Sequence, residues 1–194
     1  LALKVDDTDA LILVLDLTAF PRDFADELRR RVESATSIPA AHIRVCATHT
    51  HSMPTLRPFL QWGSVSEEFK NLVLLRAVEA ACAAKQDLAE ADCYRGAQHV
   101  EGGNVNRTSK NWKSDEAFTP ESTDGERWLD TLLQTLYFQR ASDKKPILWY
   151  HFCAHPVCFQ DTHAGPDWPG LVAERIRAVD NIDPGYLQGH IGDV

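Results

Sequence analysis

The chain opens on a period of two. Leu1, Leu3 and Val5 alternate with Ala2 and Lys4, and an acidic turn follows at Asp6-Asp7-Thr8-Asp9. The run from Ala10 to Leu17 is continuously apolar, the pattern of a strand buried on both faces, so the two segments predict a hairpin. From Arg22 the period lengthens: Phe24, Leu28, Val32 and Ala35 form one stripe among charges and predict an amphipathic helix. Ile43 to His51, "IRVCATHTH", returns to strand character.

The longest helical stretch is predicted between Gly63 and Leu88. Ser64 and Glu67 fit a capping box, and Phe69, Leu72, Val73 and Leu88 mark the apolar face. "DCYRGAQHVE" reads as a strand. The stretch from Gly102 to Arg127 is polar and too long for a tight connector, and such loops are usually functional. "WLDTLLQTLYFQ" and "PILWYHFCAHP" read as strands around the turn "RASDKK". Asp167-Trp168-Pro169 reads as the start of another helix, with Asp167 its N-cap. "YLQGHIGDV" predicts a last short strand. Strands and helices mix without strict alternation, so the expected fold class is α/β: a layered domain with a mixed β-sheet flanked by helices. One domain is expected over residues 1–194, a piece of a longer protein truncated at both ends.

Composition changes this picture little. The 194 residues are 44% hydrophobic and 25% charged, ordinary globular values. A net charge of −8 with no Lys/Arg cluster makes nucleic acid and anionic membrane surfaces poor partners. No apolar run approaches the roughly 20 residues that span a bilayer. Five cysteines without a repeating spacing argue against a full disulfide framework, and Cys46 and Cys153 read as small core residues.

The histidines carry the candidate chemistry. Residues two apart on a strand share a face, so His49 and His51 form a ready half-site for a metal. The bland reading makes one a buried, hydrogen-bonded histidine and the other a surface residue. "ILWYHFCAHP" places His155 at the end of a second apolar strand, which suggests convergence with the first pair. His151 reads as a core position. His163 and Asp167 follow in "DTHAGPDWPG" as further candidates, with an exposed loop and a helix cap as their bland readings. Arg107, in a Gly- and Asn-rich loop, has the planar fork that suits a carboxylate or a developing oxyanion. Asn106-Arg107-Thr108 also matches a glycosylation sequon, a weak match that we discount.

Taken in order, these phrases resemble the neutral/alkaline non-lysosomal ceramidases, a family of zinc amidases. "ATHTHSMP" is similar to the family's A-T-H-T-H-S-G-P and "NVNRTSKN" to its N-R-S loop. "WYHFCAHPVCF" resembles its W-F-x-x-H-x-x-S-M strand, and "THAGPDWPG" its N-H-L-x-S-x-D-N-x-G turn. "LQGHIGDV" resembles the segment ending in G-D-V-S-P-N. All five keep their order from about Val45 to Val194.

The resemblance implies one zinc ion per chain, with His49 and His155 among its ligands. It places His51 beside the substrate and Arg107 near the scissile amide. The substrate implied is a lipid-like or other small-molecule amide. It also implies a secreted or periplasmic protein, although the residues themselves leave the cytoplasm open. The family's glutamate and tyrosine ligands have no counterpart here, and its serine follows Gly-Asp-Val, where this chain stops at Val194. Met53-Pro54-Thr55-Leu56 stands where the family has glycines, and Cys158-Phe159 where it has S-M. Two other expectations are a catalytically inactive, ceramidase-like binding module and a barrel-type metal-dependent amidohydrolase.

Overall fold

The computed structural model describes residues 1–194 except Trp62 and residues 109–111, 142–143, 160–162 and 193–194. The chain divides into two compact units, Leu1–Glu90 with Phe159–Asp167, and Ala91–Cys158 with Trp168–Val194. Its layout is the expected α/β one, with mixed sheets and flanking helices. Two separate sheets take the place of the single sheet expected.

In the first unit β1 (Ala2–Val5) and β2 (Thr8–Leu15) form the anticipated antiparallel hairpin, with Val5 opposite Thr8. Asp6, at φ 51°, takes a left-handed conformation that aspartate tolerates and a two-residue turn requires. Helix α1 (Arg22–Thr36) then carries the chain to β3 (Ile43–Ala47), which pairs parallel with β2, Leu15 opposite Ala47. Phe24, Leu28 and Val32 of α1 are buried as their spacing requires, but Ala35 is exposed and Thr36 takes the inner position. Leu11 and Leu13 of β2 meet these side chains, together with Leu74, Ala77 and Ala81 of α2 (Glu67–Gln86). Burying each large side chain stabilises the unit by about 1.5–3 kcal/mol.

Two details of α2 differ from the sequence reading. Its N-cap is Ser66, whose hydroxyl accepts a hydrogen bond from Phe69 N at 3.2 Å, two residues beyond the Ser64 of the expected box. Its buried side runs through Leu74, Ala77 and Ala81, while Leu72 is half exposed. Alanines line much of the helix, so apolar spacing alone does not select its inward face.

The second unit is a four-stranded sheet in the order β4 (Ala91–His99), β5 (Leu132–Arg140), β6 (Ile147–Phe152), β7 (Asp183–Gln188). β4, β5 and β6 are antiparallel neighbours, as expected around the turn after Arg140. Helix α3 (Asp167–Asp180) precedes β7, which lies parallel to β6 with Phe152 opposite Gln188. Tyr150, Phe152 and Tyr186 form the core here, with Trp168 and Ile176 packed against them. Among the described residues from Gly102 to Arg127, the regular features are a short 3-10 turn at Asp115–Ala117 and an isolated antiparallel bridge between Asn106 and Lys113.

None of the five cysteines is joined in a disulfide. Among the described residues no helix is long and apolar enough to cross a membrane. Two open sheets with antiparallel pairs are not the eight regular β/α units of a barrel, so the barrel reading is corrected here.

Candidate metal centre

Each unit contains one parallel strand pair, and the chemistry stands beyond the carboxyl ends of both. That is where α/β sheets leave crevices free of their own side chains. Past β2 and β3 the backbone stays paired for a few more residues: Thr48 N donates to Leu15 O at 3.0 Å and His49 N to Leu17 O at 3.1 Å.

The expectation that His49 and His51 share a strand face needs correction, because β3 ends at Ala47. His49 instead adopts a left-handed conformation, φ 63°, and the turn that follows brings the rings together. Their centroids lie 4.9 Å apart and the planes meet at 76°.

Thr18, buried just after β2, organises this turn. Its hydroxyl lies 2.9 Å from both the Thr50 and the Met53 carbonyl oxygens. Its own carbonyl oxygen lies 2.7 Å from His49 Nδ1. A carbonyl only accepts, so Nδ1 carries the proton and, in the neutral ring, Nε2 keeps its lone pair. That nitrogen lies 3.2 Å from His51 Nε2. A backbone carbonyl behind one ring nitrogen, fixing the tautomer that leaves the other a lone pair, is the usual setting of a metal-binding histidine. The histidine turn therefore fits a cation.

The returning segment Phe159–Asp167 secures this turn from behind. Thr50 Oγ1 bonds the Gly165 carbonyl at 3.2 Å, Gly165 N bonds the Ser52 carbonyl at 3.0 Å, and Ser52 Oγ donates to the Phe159 carbonyl at 2.8 Å. Asp167 is fully buried at φ 55°, and its carboxylate accepts the Phe159 N–H at 3.1 Å. His163 is exposed on the same segment. His51 also borders a cleft of about 540 Å³, lined by the apolar Met53, Pro54, Val65 and Phe69 and by the polar Thr55 and Arg57.

In the second unit His155 stands three residues past β6, half-buried, with its Nδ1 turned inward. The backbone around it is held by side chains. Gln188 Nε2 donates to the Ala154 carbonyl at 3.0 Å, and Asn104 Nδ2 donates to the carbonyls of Asp130 and Cys153. Arg107 turns its fork onto the Gly192 carbonyl, with Nε at 2.8 Å and one terminal nitrogen closer still. The guanidinium also lies 5.7 Å from the centroid of the Trp112 ring. Arg107 thus grips the segment leading to Asp193 and Val194, which lie outside the described residues. Asn106 is completely buried with its amide donating to the Gly125 carbonyl at 2.8 Å, which agrees with discounting the sequon.

Sequence reasoning missed a polar group in this unit. Cys153 is buried as expected, but its thiol donates to Asp130 Oδ2 at 3.3 Å and accepts from His190 N at 3.2 Å. The Leu132 N–H holds the Asp130 carboxyl below its ordinary range, and burial pushes the Cys153 thiol up. These residues are far apart in sequence, and no local spacing reveals them.

No protein-family model matches the chain, and no curated protein matches it either. Solved structures do. The chain has the fold of neutral ceramidase over nearly all its length. A neutral ceramidase from Pseudomonas aeruginosa superposes at TM-score 0.70 over 94% of this chain with 16% identity. A ceramidase complexed with C2 gives 0.67 over 97% with 17% identity. The chain spans 30% and 31% of the length of those two chains, about a third of each. The resemblance drawn from the five motifs is borne out at the level of the fold.

Proposed function

We propose that this protein is a zinc-dependent hydrolase of N-acyl (amide) linkages, ceramidase-like, with a lipid-like or other amphiphilic substrate. One observation carries the reading. The Thr18 carbonyl fixes His49 so that its Nε2 faces His51 Nε2, in a chain with the ceramidase fold. His49 and His155 would hold the ion. Zinc, when bound, supplies a Lewis acid for the amide carbonyl and lowers the pKa of water toward 7.

The chain's own residues supply the rest. His51, exposed beside the cleft, moves a proton at Nε2 and delivers it to the leaving amine nitrogen. Arg107 keeps the Gly192 segment in register and adds positive charge where the carbonyl oxygen becomes anionic. The apolar lining residues Met53, Pro54, Val65 and Phe69 suit an acyl or alkyl chain, and Thr55 and Arg57 suit its headgroup. The two units act as parts of one catalytic domain, which works outside the cytoplasm.

The testing experiment offers the intact protein an N-acyl amphiphile with a fluorescent acyl chain. Release of the free fatty acid, abolished by a chelator and restored by zinc, supports the reading. No release under any metal condition, from a protein that retains zinc, favours a binding module without turnover.

A further inference from the structure

The second unit contains another set of metal-ligating side chains, outside the histidines assigned above. Ligand atoms of Asp130, Cys153 and His190 all lie within 4.8 Å of one another. They arrive from three places: Asp130 just before β5, Cys153 just after β6 and His190 just after β7. The β5–β6–β7 pairing fixes them at one end of a rigid sheet.

A second observation marks the space between them. Gly189 has no side chain, and a Cβ built there would stand 2.5 Å from Cys153 Sγ and 3.0 Å from His151 Nε2. The glycine therefore lets the thiol and a further imidazole pack closely against the same piece of backbone, where any side chain at 189 would push them away. The Cys153 Sγ to Asp130 Oδ2 distance, 3.3 Å, is also close to the roughly 3.5 Å that bond lengths of about 2.3 and 2.0 Å give at a tetrahedral zinc.

We propose that Asp130, Cys153 and His190, with His151 as the fourth donor, form a second metal site for a borderline-soft divalent cation of the zinc type. One thiolate, imidazole nitrogens and one carboxylate select zinc or cobalt over magnesium and calcium, which prefer all-oxygen sets. Binding exchanges the thiol proton, released to water, for a sulfur–metal bond, with no change of oxidation state. The ion ties the β6 and β7 ends to the segment before β5, and so steadies the loop that carries His155. This site does not depend on the proposed hydrolase function.

Cobalt(II) is the probe, added to the intact protein after dialysis against a chelator and followed by absorption. We expect a near-ultraviolet thiolate-to-cobalt charge-transfer band together with visible bands of four-coordinate cobalt. Both persist in a His49→Ala/His155→Ala double variant, which keeps this failure distinct from failure of the hydrolase centre. The charge-transfer band disappears in Cys153→Ser. Replacing the exposed His190 by Gln, a change that spares the buried thiol, weakens cobalt binding by at least about tenfold. Absence of the thiolate band from the parent protein, its survival in Cys153→Ser, or its loss in the His49/His155 double variant overturns the proposal.

Discussion

The Nδ1 of His49 lies 2.7 Å from the carbonyl oxygen of Thr18, a residue thirty-one positions earlier in the chain. That bond sets the tautomer of His49 and leaves its other nitrogen facing His51. The Thr18 hydroxyl meanwhile lies 2.9 Å from two carbonyls of the same turn, which share its one proton. Thr18 therefore acts on the candidate centre from both ends.

Replacing Thr18 by Val keeps its shape and removes the hydroxyl. The Thr50 and Met53 carbonyls lose a buried donor, and we expect a loss of about 1–3 kcal/mol in urea unfolding. Zinc affinity should fall by about ten- to a hundredfold, as for other groups that hold a metal ligand in place. Unchanged affinity, measured by competition with a chromogenic chelator, would separate the turn from the metal.

His51 and His49 should part company on mutation. In the proposed roles His51→Ala keeps the zinc but lowers kcat by about 10²–10⁴-fold through loss of proton transfer. His49→Ala loses the metal itself. Equal zinc loss in both variants would make His51 a ligand rather than a proton carrier.

The capping of α2 offers a purely structural check. Ser66→Ala removes the acceptor for Phe69 N and should cost about 1 kcal/mol of stability, whereas Ser64→Ala should cost a few tenths at most. Thermal melts of the two variants decide it.

Glu126 gives a pH prediction for the long loop. Its carboxylate accepts first from Thr123 N and also from Lys113 Nζ, and this lowers its pKa from 4.5 to about 2. A depressed carboxylate contributes its ordering in full above 4.5 and loses it as pH falls through about 2. NMR titration of the carboxyl carbon should give a midpoint near 2, and Lys113→Met should move it upward toward 4.5. A midpoint near 4.5 in the parent protein would show that the loop bonds do not form in solution.

Much of the fold was legible because its periods are clean. The hairpin at Asp6-Asp7, α1 and the antiparallel β5–β6 pair follow from alternation and turn residues. The motif His49-Thr50-His51 was legible too, but for a partly mistaken reason. Strand parity does not bring the two rings together; a left-handed residue does, and nothing in the letters announces that a histidine will adopt φ 63°. Thr18 was invisible for a related reason, since its bonds reach across two strand ends that only pairing brings together. The set Asp130, Cys153 and His190 depends wholly on strand register, and Cys153 alone reads as any small core residue. The inward face of α2 stayed ambiguous because alanine carries too little apolar contrast to mark one side.

The most direct test is zinc content of the intact protein by elemental analysis, beside His49→Ala, His155→Ala and the double variant. We expect each single variant to lose one zinc relative to the parent and the double variant to lose no more than either. That result joins the two histidines at one ion, whatever else the chain binds. Equal zinc in all four proteins would contradict it, and the histidine turn would then be a structural corner rather than a metal centre.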